Sequence, residues 1–170
     1  MKCMMLLTVA VLLLAGCEYE SPLTKEHNIA VDSAVLGMWE LIPDEREEPK
    51  QAERMMILKY SDTEYLLHYP IGKNGLYYRC YSIKVGGVSC VQLIFIGTDD
   101  GPPEKDEKDL FHVISYQLAN DELKIKLLNT DLVDDDLKTT EALKQSFLKH
   151  KGNKELFTNP GKFRRIKKYN

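Results

Sequence analysis

The sequence predicts a mainly β protein, an antiparallel eight-stranded barrel or strongly curved sheet with one helix before the last strand. Three observations lead there. Short runs rich in Val, Ile, Tyr and Phe recur from residue 37 onward, and several alternate apolar with polar residues. Turn residues join consecutive runs at hairpin spacing, as at Gly86-Gly87 and Ala119-Asn120-Asp121. No strand–helix–strand rhythm interrupts them, which disfavours a parallel sheet.

Taken in order, Asp32 or Ser33 can cap one helical turn over 32–36, and 37–42 reads as the first strand, ending at Pro43. Residues 44–53 are charged and contain Pro49, so they form a loop. Strands over 54–60 and 63–69 are joined by Ser61-Asp62, and residues 70–75 turn through Gly72 and Asn74-Gly75. The best hairpin joins 76–85 to 88–96. Residues 97–109 hold Gly101-Pro102-Pro103 among many charges and predict a long exposed loop. A further hairpin joins 110–118 to 122–128, where Leu123, Ile125 and Leu127 alternate with Lys124 and Lys126. After an acidic connection over 131–138, a helix runs from Thr139 or Thr140 to about Lys151, with Leu143 and Phe147 on one face and Gly152 as its stop. A turn at Asn159-Pro160-Gly161 precedes the last strand, over 162–169.

Cys80 and Cys90 flank the Gly86-Gly87 turn. A two-residue turn there pairs Ile83 with Cys90 and puts the two thiols on opposite faces, because side chains alternate with period two. A three-residue loop at Lys84-Val85-Gly86 puts them directly opposite, where a disulfide can form. Both registers stay open at this stage.

The amino terminus carries a different signal. Lys2 precedes an apolar run from Met4 to Ala15, too short for the ~20 residues of a membrane span and of the length of a secretory signal. The run ends in Leu14-Ala15-Gly16-Cys17, which resembles the lipobox of bacterial lipoproteins at all four positions. The resemblance implies a signal peptide over 1–16 that is removed, a diacylglyceryl thioether on Cys17 and acylation of the new amino terminus. It makes the protein a membrane lipoprotein of the bacterial envelope. Glu18 stands where, in enteric bacteria, an aspartate commonly retains lipoproteins in the inner membrane, so the resemblance favours the periplasmic face of the outer membrane. Polar residues up to Asn28 read as a lipidated tether over 17–28, leaving 29–170 as one β-rich domain.

Gly37-Met38-Trp39 resembles the glycine-x-tryptophan of lipocalin-type barrels, in which tryptophan plugs one barrel end. The resemblance implies a basic residue of the last strand packed over the ring, here Arg164 or Arg165. The helix departs from that family by preceding the last strand. Trp39 as an ordinary core aromatic is the competing expectation.

Chemistry is hard to find. The formal charge is −3, and −4 once residues 1–16 are removed, so the basic excess that nucleic-acid binding needs is missing. His27, His68, His112 and His150 are scattered without metal-ligand spacing, and Ser89 lacks a nucleophile elbow. Asp131, Asp134, Asp135 and Asp136 lack the spacing and the glycine of a calcium loop. The five cations Lys162, Arg164, Arg165, Lys167 and Lys168 suit either protection of an exposed edge strand or contact with anionic lipid or cell-wall polymer. The expected function is therefore a non-catalytic, membrane-anchored binding module for a small apolar or amphipathic ligand, with no cofactor and no metal. The alternative is a structural or protein-interaction component of the envelope.

Overall fold

The computed structural model describes residues 18–43, 53–72, 74–105 and 110–166. The lipobox, Cys17 and residues 167–170 lie outside them. Eight antiparallel strands close into a barrel in chain order: β1 (Gly37–Leu41), β2 (Arg54–Lys59), β3 (Glu64–Tyr69), β4 (Leu76–Val85), β5 (Val88–Thr98), β6 (Phe111–Ala119), β7 (Glu122–Leu128) and β8 (Phe157–Arg165). Helix α1 (Thr140–His150) lies between β7 and β8, as the sequence predicts. Thr139 caps it by accepting the Ala142 N–H at 3.2 Å.

Alternation along the strands sorts the side chains into two cores. Trp39, Met55, Leu67, Tyr69, Tyr78, Leu93, Ile114, Leu127 and Phe163 fill the inside of the barrel. The opposite faces of β4, β5 and β6 present Tyr81, Ile83, Val85, Cys90 and Val113 outward, into a second core with Leu143 and Phe147 of α1. That wall is apolar on both faces, which is why these strands read as long hydrophobic runs.

The β4–β5 turn has two residues, with Gly86 at φ 58° and Gly87 at φ 90°. Both conformations favour glycine. At Gly86 a Cβ would also lie 2.3 Å from a Leu148 methyl, so the turn tip is pressed beneath the end of α1.

The structure corrects two boundaries. Residues 19–24 are not a free tether. Tyr19 and Leu23 are wholly buried against the outer wall, and Tyr19 exchanges two backbone hydrogen bonds of 2.9 Å with Phe111. The segment lacks helical or strand periodicity because it crosses the barrel as a strap, held by isolated anchor residues. Secondly, β8 begins at Phe157, five residues before the expected start, and runs through Asn159-Pro160-Gly161. Asn159 takes φ 50° and the pairing with β7 shifts register between Ile125 and Leu127, so the turn-like tripeptide is a bulge within the strand.

Candidate functional site

One barrel end is closed. The 3-10 turn Ser33–Val35 crosses it, capped by Asp32, whose carboxylate accepts the Ala34 N–H at 2.9 Å and the Tyr116 hydroxyl at 3.1 Å. Burial and the Asp32 carboxylate both raise the Tyr116 pKa. Trp39 stands beneath this turn, 0% exposed, and its indole N–H donates to the Val35 carbonyl at 2.9 Å.

The two candidate arginines divide. Arg165 faces Trp39 across the β1–β8 pair and places its guanidinium carbon 4.2 Å from the ring centre. It also donates to the Leu36 carbonyl at 2.9 Å and to the Ala34 carbonyl, and it pairs with Asp121 at 3.3 Å. Arg164 points outward to Glu40, to which its Nε donates at 3.1 Å. Glu40 lies directly opposite Arg164 on one side and Arg54 on the other. The Arg164 hydrogen bond is the main cause that holds the Glu40 pKa below the ordinary carboxylate range.

Cys80 and Cys90 are both free and both buried. The two-residue turn sets Ile83 opposite Cys90 and Leu93 opposite Cys80. Cys80 therefore faces the barrel interior and Cys90 the second core. The register that would have bridged them is not adopted, because Gly86 and Gly87 both take up positive φ. Burial raises both thiol pKa values, that of Cys90 to about 12.

Among the described residues, two small apolar voids of about 40 Å³ each lie inside the barrel. Leu67, Ile114 and Ile125 line both, so they follow one another along the interior. Tyr65, Tyr69, Tyr78 and Tyr116 all belong to this interior core or pack against it. His112 lies at 1% exposure with its ring edge-on to Tyr78, the centres 5.6 Å apart.

His68 behaves differently. Its ring stacks on Tyr77 at 4.1 Å and its Nε2 lies 3.5 Å from Asp99. Asp99 in turn accepts the Tyr77 hydroxyl at 3.0 Å and the Gly75 N–H at 2.8 Å. These contacts fasten Asp99, the residue after β5, to the barrel rim, and the two hydrogen bonds lower the Asp99 pKa.

Sequence reasoning missed Gln92. It sits outward on β5 at 0% exposure, and its side-chain oxygen accepts the Leu23 N–H at 2.7 Å. Its amide donates to Tyr81 and, at 3.3 Å, to the Thr24 carbonyl. A glutamine amid Cys90, Val91, Leu93 and Ile94 was the available signal, since a polar residue in such a run needs a partner.

A second feature was also missed. On the outer surface, between β6, β7 and the segment after α1, lies an open cleft of about 340 Å³ lined by Lys124, Lys126, Lys151 and Lys154. The closed barrel leaves β8 paired on both sides, so protection of an exposed edge does not account for its cations. Arg164 and Arg165 are engaged as described, while Lys162 lies opposite Lys124. Compared with family models, with curated proteins and with solved structures, the chain matches none.

Proposed function

We propose that this protein is a lipid-anchored, non-catalytic component of the bacterial envelope that acts by holding another envelope protein, with its barrel as a rigid scaffold. The observation that carries the reading is the filled interior. Two voids of about 40 Å³ fall well short of the ~300 Å³ at which small-molecule pockets begin. They are also smaller than the ~150 Å³ apolar cavity that admits benzene. Tyr65, Tyr69, Tyr78 and Tyr116 belong to the barrel core or pack against it, and the hydroxyls of Tyr65 and Tyr116 hydrogen-bond Asp32 at the closed end.

The anchor is part of the proposal, on the strength of Leu14-Ala15-Gly16-Cys17. Only Glu18 separates Cys17 from the buried Tyr19, and two steps along the chain span at most about 7 Å. A lipid on Cys17 would hold the domain against the bilayer in a restricted orientation. Glu18, in place of the aspartate that commonly retains lipoproteins of enteric bacteria in the inner membrane, favours the outer membrane by that resemblance.

The second reading is a carrier of a slim apolar ligand, favoured by Leu67, Ile114 and Ile125, the apolar side chains that line both voids. A fluorescent fatty acid titrated into the full lipidated chain in nonionic detergent separates the two. The scaffold reading expects no saturable uptake, together with a discrete adduct when photo-crosslinkers on the exposed barrel surface are activated in intact envelopes. Saturable one-to-one uptake that Leu67→Trp abolishes would establish the carrier instead.

A further inference from the structure

We propose that the lysine-lined cleft beside β7 is a binding site for a phosphate-bearing anion. The inference goes beyond the scaffold reading and does not depend on the lipid anchor.

The argument starts from strand pairing. Across β6 and β7, Lys124 faces Gln117 and Lys126 faces Ser115. Across β7 and β8, Lys124 faces Lys162. Directly opposed charges of unlike sign stabilise a sheet, and like charges destabilise it. Here every cross-strand neighbour of the two lysines is neutral or positive, in a chain whose formal net charge is −3.

The opposite wall continues the pattern. Lys151 follows α1 directly, and its aliphatic stem reaches to 3.2 Å from where a Gly86 Cβ would stand. The tightness of the β4–β5 turn thus lets the lysine cross to the cleft. Asn153 and Lys154 follow, with the Asn153 N–H donating to the His150 carbonyl at 2.8 Å and capping the negative end of α1. Four ammonium groups therefore border one cleft, and among the described residues that line it none is a carboxylate. Among the described residues none of the four makes an ion pair, whereas Lys59 and Lys138 elsewhere do. The nearby acid Glu155 is exposed and outside the lining.

Lysines bind phosphate as point charges, and several around one cleft suit a multiply charged anion better than a single carboxylate. About 340 Å³ matches the lower end of small-molecule sites, the size of a sugar phosphate or a lipid headgroup. Ser115, Gln117 and Asn153 add polar groups for the uncharged part of such a ligand.

The test uses the full chain in nonionic detergent at about 150 mM salt, where diffuse surface attraction is screened beyond about 8 Å. Pyrophosphate and glycerophosphoglycerol, a phosphodiester headgroup without its acyl chains, are titrated separately by calorimetry. Saturable one-to-one binding is expected, weakened about tenfold in both Lys151→Gln/Lys154→Gln and Lys124→Gln/Lys126→Gln. The control pair Lys25→Gln/Lys105→Gln, which removes the same charge elsewhere, should stay within about twofold of wild type. Tighter binding of the diester identifies a lipid headgroup as the source, and tighter binding of pyrophosphate a soluble phosphate. Melting temperatures without ligand guard against misfolding: Lys124→Gln/Lys126→Gln should melt no lower than wild type, because it relieves repulsion. No saturable binding of either compound, or equal loss in the control pair, would overturn the proposal.

Discussion

Arg165 and Trp39 face each other across the seam where the first and last strands meet, and the guanidinium lies over the indole at 4.2 Å. The pair does two jobs at once. The ring fills the barrel end, and the arginine ties β8 to the carbonyls of Ala34 and Leu36 in the turn that closes it. Trp39→Ala should cost about 3–5 kcal/mol, as large core truncations do. Arg165→Lys should cost less, about 1–2 kcal/mol, because it keeps a charge but loses the planar stack and the fork of donors. Urea unfolding followed by circular dichroism measures both. Equal losses would mean that the ring contributes no more than its cation.

The strap rests on Gln92. Gln92→Ala removes the acceptor of the Leu23 N–H and the amide that donates to Thr24 and Tyr81. A buried N–H left unpaired costs about 1–3 kcal/mol. The variant should therefore release residues 19–24 before the barrel unfolds. Hydrogen exchange should speed up at Leu23 and Thr24 while β4 and β5 keep their protection. Simultaneous loss of protection in both regions would show that strap and barrel unfold as one unit.

The barrel was legible because its signals are local. Alternation, tight turns and the cap at Thr139 lie within a few residues of each other, and they located seven strands and the helix closely. Features made by distant contacts were not. Tyr19 and Leu23 stand among Glu18, Glu20, Ser21 and Thr24, and only the apolar outer wall of β4–β6 makes them core residues. Asn159-Pro160-Gly161 has turn chemistry that a strand tolerates only as a bulge, which depends on β7. The lysine cleft joins β7 to the end of α1, more than twenty residues apart, and no spacing in the sequence announces it. Trp39 is a similar case: Arg165, the cation that covers its ring, is more than a hundred residues away and lies opposite it only because β1 pairs with β8.

Glu40 gives the seam a pH dependence. Its carboxylate sits between Arg164 and Arg54, chiefly held by the Arg164 hydrogen bond, and its pKa is lowered in the folded protein. A group with a depressed folded pKa adds stability above its unfolded pKa and loses it as pH falls through the folded value. The Glu40 contribution should thus be fully present above the ordinary glutamate pKa of about 4.3 and fade below it. Glu40→Gln should lower the melting temperature at neutral pH, where two arginines then face an uncharged residue, and the gap from wild type should shrink in acid. A gap that is the same at neutral and acid pH would mean that Glu40 acts by shape alone.

The two cysteines make the last prediction. The register sets Cys80 opposite Leu93, three positions along β5 from Cys90, or roughly 10 Å at the rise of a strand. Disulfides need Cα atoms within about 7 Å and side chains that point toward each other, and these two point to opposite faces of the sheet. The thiols should remain separate even in an oxidising compartment. Both are buried with raised pKa values, Cys90 at about 12, so the nucleophilic thiolate is scarce at neutral pH. Iodoacetamide should leave the folded protein unmodified and, after unfolding without reductant, add two carbamidomethyl groups to the mature domain. Recovery of a peptide linked through Cys80 and Cys90 would place the β4–β5 hairpin in the other register. Its tip would then no longer be the Gly86-Gly87 turn that packs beneath Leu148.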